Sequence, residues 1–150
     1  MDRWFRWDAL KFHQKGRVTV ITRHFAGESA PIGFLAYNVQ QHNTGVFSRL
    51  LSGLLPGWNS PLAFHLWYMG VQCELQGQGH GTALVFHALE QYYEAQKEQD
   101  IPGATLVALN KRVAGFYADR FGFDQVEELH GGHIAMLLPR KRLVDLIESA

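Results

Sequence analysis

The sequence predicts a mixed α/β fold, a sheet carrying helices on its faces. Three observations carry that expectation. Strand-like and helix-like runs alternate along the chain rather than segregating. Residues 79–98 have a clean apolar face at helical spacing. The chain is 150 residues long, 47% hydrophobic and 13% aromatic, which suits one packed core over residues 1–150.

The elements follow in order. Trp4, Trp7 and Leu10 recur at helical spacing, so the first sixteen residues predict a short amphipathic helix closed near Gly16. The β-branched run over residues 17–23 predicts a strand, residues 27–31 a turn, and residues 32–39 the returning strand. Over residues 43–61, Val46, Phe47, Leu50, Leu51, Leu54 and Leu55 have helical periodicity. Asn43 and Thr44 can cap that start, and Pro56-Gly57 and Asn59-Ser60-Pro61 break the end, giving a short helix or an ordered loop.

Leu62–Val71 is strand-like. In the helix over 79–98, Leu84, Val85, Ala88, Leu89 and Tyr92 face inward, with Glu90, Glu94, Lys97 and Glu98 mainly opposite. Beyond Pro102-Gly103 lie an apolar strand over 104–109 and a helix over Lys111–Phe121. That helix turns Val113, Phe116, Tyr117 and Phe121 inward and stops at Gly122. Strands over 123–129 and 133–138 form a hairpin around Gly131-Gly132, and Arg140–Glu148 is a final short helix.

Charged residues are only 19%, which excludes a disordered chain. Lys+Arg 14 balance Asp+Glu 14, which excludes a strongly basic nucleic-acid binder. The single cysteine, Cys73, rules out an intramolecular disulfide. The start lacks the apolar core of a signal peptide, and no run nears the roughly 18 apolar residues that cross a bilayer. The expectation is a cytoplasmic protein without membrane contact.

Chemistry concentrates in Val71-Gln72-Cys73-Glu74-Leu75-Gln76-Gly77-Gln78-Gly79-His80-Gly81-Thr82, between a strand and a strong helix. Glycines at alternate positions let main-chain N–H groups approach a ligand, and the helix start adds unsatisfied N–H groups and partial positive charge. That suits a phosphate or diphosphate. A Walker A loop is discarded, because the segment has no lysine. A dinucleotide fingerprint would need glycine where Thr82 stands. The third pattern, Gln/Arg-x-x-Gly-x-Gly/Ala, is matched by Gln76, Gly79 and Gly81. A glycine-rich turn without a ligand is the bland alternative.

Further on, Asn110, Ala114, Phe116-Tyr117 and Gly122-Phe123 follow a strand end, a cap, a helix and a new strand. With the glycine loop, this resembles the GCN5-related N-acetyltransferase (GNAT) family, whose second signature runs Asn-x-x-Ala-x-x-Phe-Tyr-x-x-x-Gly-Phe. Phe116 falls one residue early from Ala114. The resemblance covers about residues 62–138. It implies a mixed, mostly antiparallel sheet with helices on both faces and a splayed central strand pair.

The resemblance also implies N-acetyl transfer from acetyl-CoA to a primary amine of a small molecule or protein, by direct attack through a tetrahedral intermediate and without a metal. Main-chain N–H groups of Gln76, Gly77, Gln78, Gly79, His80, Gly81 and Thr82 would hold the diphosphate. Pantetheine amides would pair along Met69 to Val71, and the Val71 N–H would stabilise the oxyanion. Tyr117 would be the general acid toward the departing thiolate, against the alternative of a core aromatic. Asn110 would cap its helix and touch the pantetheine, capping alone being equally good.

A base for the amine is less determined. His65 reads as a satisfied strand histidine and Glu74 as a solvated carboxylate. The His80 side chain stands where the family often carries an apolar residue, and is not expected to be a ligand. His130 and His133 flank a turn without the company of a metal site, and nothing requires Cys73 to react.

Arg49-Leu50, Gly53-Leu54, Pro56, Pro61 and Gln76 to Gly81 also resemble, in layout, the acetyltransferase toxins that modify the amine of aminoacyl-tRNA. Against that reading, zero net charge gives no global attraction to tRNA phosphate, so a small-molecule or protein amine leads, and no nucleic-acid partner is expected unless it is aminoacyl-tRNA. A non-catalytic acyl-CoA-binding module is the remaining alternative. Trp4, Phe5 and Trp7 read as core, as a lid over the acceptor, or as a contact between copies in a homodimer, with core or dimer contact favoured.

Overall fold

A computed structural model describes residues 5–12, 18–42, 45–54 and 61–150. In chain order these form β1 (Phe5–Phe12), β2 (Val18–Phe25), β3 (Gly33–Gln41), α1 (Gly45–Leu54), β4 (Leu62–Val71), α2 (His80–Ala95), β5 (Gly103–Ala108), α3 (Lys111–Phe121), β6 (Asp124–Glu128), β7 (Ile134–Pro139) and α4 (Arg140–Glu148). The strand order is β1-β2-β3-β4-β5-β7-β6, with β4 and β5 parallel and the assigned neighbours otherwise antiparallel. Two compact units divide the chain. One holds the described residues up to Asn38 with Trp67–Leu89, the other Val39–Leu66 with Glu90–Ala150.

In the first unit the expected N-terminal helix is a strand. β1 pairs with β2 from Phe5↔Phe25 to Phe12↔Val18. Phe5, Trp7 and Ala9 also satisfy a period of two, and the β-branched strand β2 offers a partner along its whole length. Pairing overrides the helical spacing. Trp4 and the expected stop at Gly16 lie outside the described residues. A tight turn, with Gly27 at φ 85°, returns β2 into β3 in the register Thr19↔Tyr37 to Arg23↔Gly33. At Gly33 the backbones approach so closely that a Cβ would lie 2.9 Å from the Gly70 carbonyl oxygen.

In the second unit, β4 and β5 are laddered from Ala63↔Gly103 to Leu66↔Leu106, and each strand runs on beyond that ladder, to Val71 and to Ala108. The parallel ladder of the central pair thus ends at Leu66↔Leu106. Ala63 and Phe64 are adjacent, so they face opposite sides. Ala63 packs with Phe47 and Leu51 of α1, whereas Phe64 stacks on Tyr92 of α2 with ring centroids 5.1 Å apart. Helices therefore cover both faces.

Leu84, Val85, Ala88, Leu89 and Tyr92 are all fully buried, as their spacing predicts. α2 ends at Ala95, three residues before the expected 98, where the chain tightens into i→i−3 bonds from Lys97 to Glu94 and Glu98 to Ala95. The region over 43–61 resolves as helix α1, while its expected caps Asn43 and Thr44, and Leu55 to Ser60, lie outside the described residues. Among the described residues, no helix is long and apolar enough to cross a membrane.

Candidate functional site

Beyond Val71 the chain leaves the sheet through a bond from the Gln72 N–H to the Ile32 carbonyl (2.9 Å) and one 3-10 turn over Cys73–Leu75. The Gln76 amide then reaches back, donating from Nε2 to the Val71 carbonyl at 3.0 Å. Gly77 and Gly79 adopt φ 79° and 87°, a region that strains any L side chain. A Cβ at either would meet nothing within 4 Å. These two glycines thus serve backbone shape and open space rather than packing. Gly81 differs, since a Cβ there would touch the Met69 methyl at 3.4 Å.

The first bond of α2 runs from the Ala83 N–H to the Gly79 carbonyl at 3.0 Å. The N–H groups of His80, Gly81 and Thr82 precede it, so helix geometry gives them no intrahelical acceptor. Gln76, Gly77, Gln78 and Gly79 are exposed. Met69, Gly70 and Val71 at the end of β4 are half-buried, behind the exposed Trp67 and Tyr68. Met69, Val71 and residues Gln76 to Thr82 thus form one contiguous strand-to-helix junction, and its open glycines and main-chain donors fit a diphosphate.

The His80 side chain turns away from solvent and is 7% exposed. Its Nδ1 accepts a bond from Nε of Arg23 at 3.2 Å, and its ring meets Phe25 edge-on. Burial first, and the Arg23 guanidinium second, lower its pKa. The Arg23 guanidinium lies over Trp7, 5.0 Å from the ring centroid, and Trp7 stacks on His87 at 4.3 Å. Of the N-terminal aromatics, Trp7 thus packs within its unit. Sequence reasoning missed Arg23 and His87. One signal existed, because Arg23 shares strand parity with the buried Ile21 and so points inward.

In the second unit, Asn110 caps α3, its Oδ1 accepting from the Val113 N–H at 2.9 Å. Gly122, at φ 78°, closes the helix in the left-handed conformation. Tyr117 is 7% exposed and ringed by Phe116, Phe121 and Phe123. Burial pushes its pKa up to about 12. Among the described residues no hydrogen bond involves its hydroxyl.

His65 is committed elsewhere. Its Nδ1 lies 2.7 Å from the Thr105 hydroxyl, which in turn stands 3.4 Å from Nε2 of His42. Burial, then the nearby His42, lowers its pKa to about 4. So buried and so weakly basic, it is a poor proton acceptor for an ammonium ion. Glu74 and Cys73 are exposed. His133 donates from Nδ1 to the Leu109 carbonyl at 3.0 Å, and His130 is exposed. Among the described residues no group of three or more His, Cys, Asp or Glu is placed to hold a metal ion.

A model of the acetyltransferase (GNAT) family matches residues 1–123. No curated protein matches the chain significantly. Solved structures that resemble it include the complex of KacTA with DNA, 21% identical, covering 92% of this chain and 77% of that one at a TM-score of 0.70. A bacterial toxin is 20% identical over 89% of this chain and 73% of its own, at 0.75. AtaT complexed with acetyl-methionyl-tRNAfMet is 24% identical over 87% and 75%, at 0.67. At such identities the likeness is one of fold.

Proposed function

The chain belongs to the acetyltransferase (GNAT) family, and from that premise we propose that it moves the acetyl group of acetyl-CoA to a primary amine. The observation that carries this reading is the open glycine junction at the start of α2, where exposed main chain meets N–H groups without intrahelical acceptors. In this reading the amides of Gln76 to Thr82 take the diphosphate and the strand edge from Met69 to Val71 takes the pantetheine. Asn110 caps α3 and touches the same arm.

The acceptor attacks as a neutral amine, whose conjugate acid near pKa 10 must first lose a proton. The Val71 N–H meets the oxyanion as the tetrahedral intermediate forms. Tyr117 serves the leaving group. With its pKa at about 12 the phenol stays protonated at physiological pH. A thiol near pKa 8.5 in water is the stronger acid, so Tyr117 acts first by donating a hydrogen bond to the departing sulfur. Full transfer follows only as far as a dry site raises the basicity of that sulfur.

The cytoplasm is the compartment this reading favours, and a homodimer is compatible with it. The acceptor in the leading reading is a small-molecule or protein amine, favoured by the balanced charge. A second reading, the amine of aminoacyl-tRNA, draws support from the likeness to AtaT complexed with acetyl-methionyl-tRNAfMet. Thiol release from acetyl-CoA, measured against amino acids, polyamines, peptides and charged tRNA, tests both. Turnover with charged tRNA alone selects the second reading. Binding of acetyl-CoA without turnover on any acceptor selects a non-catalytic module.

A further inference from the structure

We propose that Arg23 and His80 are positioning residues that fix the first turn of α2, and with it the direction of the glycine-junction amides, for the diphosphate of coenzyme A. The inference rests on the acetyl-CoA reading above. Helix ends fray, and a main-chain anion site works only while its N–H groups hold one direction. A terminal turn that follows two flexible glycines needs an anchor.

Arg23 and Trp7 are direct cross-strand partners in β1 and β2, so their side chains share a face. From that face the chain of contacts reaches α2 twice. Arg23 Nε donates to Nδ1 of His80, the first helical residue, and Trp7 stacks on His87 with the two rings only 4° from parallel. His80 and His87 are about two turns apart, hence on one side of α2. The β1–β2 pair therefore grips α2 at its tip and again along its length. A bond to Nδ1 requires a neutral ring in its Nε2–H tautomer; the lowered pKa of His80 favours the neutral ring, and the Arg23 donor selects the tautomer. His80 is thus recruited through its side chain to hold the helix and through its N–H to meet the ligand.

The test compares two ligands by calorimetry. Coenzyme A carries the diphosphate, and pantetheine does not. His80→Ala is expected to weaken coenzyme A about tenfold and pantetheine less than about twofold. In His80→Asn, Oδ1 falls near the place of Nδ1 and accepts the same bond, so affinity for coenzyme A returns to within about threefold of wild type. Should His80→Ala fail to fold, Arg23→Lys carries the same diphosphate-selective expectation, because lysine cannot reproduce the Nε–H geometry. Equal weakening of both ligands, or no weakening of either, overturns the positioning role. Wild-type protein that binds no coenzyme A overturns the acetyl-CoA reading together with this one.

Discussion

The glycine junction and helix α3 carry the two signatures of the family, and they do so by opposite means. At the junction the proposed working groups are main chain, and Gly77 and Gly79 take positive φ beside open space. In α3 the proposed working group is a side chain. There Asn110 and Gly122 fix the two ends of the helix so that Tyr117 is held among three aromatic rings. The contrast separates what a substitution damages. At the junction a change alters binding by reshaping backbone, while in α3 one atom can be removed with the fold left standing.

The sharpest break of that contrast is Gly79→Val. At φ 87° a β-branched residue is strained by about 1–2 kcal/mol, and its methyl groups would enter the open space that the proposed diphosphate needs. Affinity for acetyl-CoA should fall by about a hundredfold or more, whereas the melting temperature should fall only by several degrees. Calorimetry and thermal melts on the same sample check the pair. A variant that binds normally would remove the diphosphate from the junction.

Next in size is Tyr117→Phe. The ring packing is kept and only a hydroxyl without a hydrogen bond among the described residues is lost, so stability and acetyl-CoA affinity should stay near wild type. The rate should drop about a hundredfold. The pH profile sharpens this further. A phenol raised to about 12 loses its proton only in that range, so Tyr117 imposes no falling limb on the rate below about pH 11. A tyrosine-dependent decline near pH 9 would show that the phenol is not in this environment when it acts.

The same contrast explains how much was legible in advance. Side-chain patterns were readable. The inward face of α2, the bounds of α3 and its stop at Gly122 follow from periodicity and capping chemistry, which act within a few residues. The glycine spacing also placed the junction. β1 is ambiguous in the sequence, because Trp4, Trp7 and Leu10 satisfy a helical period while Phe5, Trp7 and Ala9 satisfy a strand period. The partner strand decides between them, and no local pattern records that pairing. The Arg23–His80 bond is hidden for the same reason, its ends lying 57 positions apart in sequence. Its one trace was an arginine at an inward strand position.

A smaller effect is expected at Asn110→Ala, which removes the Oδ1 cap from the Val113 N–H and should destabilise the protein by about 1 kcal/mol. If capping is its whole role, the KM for acetyl-CoA stays unchanged once the protein is folded. A raised KM in the folded variant would add the pantetheine contact.

The smallest effect is predicted at Gln76→Ala. The exposed amide donates to the Val71 carbonyl at 3.0 Å, closing the loop onto the strand end that supplies the oxyanion N–H in the proposed mechanism. A solvent-exposed neutral bond of this kind contributes about 1 kcal/mol or less, and water can replace it at the carbonyl. The expected loss in kcat/KM is therefore about threefold, with Gln76→Glu worse than Gln76→Ala. A carboxylate cannot donate to the carbonyl, and it adds negative charge beside the proposed diphosphate site. Raising the salt concentration should narrow the gap between Glu and Ala, because screening acts on the added charge alone. If the two variants respond alike to salt, the Gln76 side chain lies too far from the anion for its charge to be felt, and its role is confined to shaping the loop.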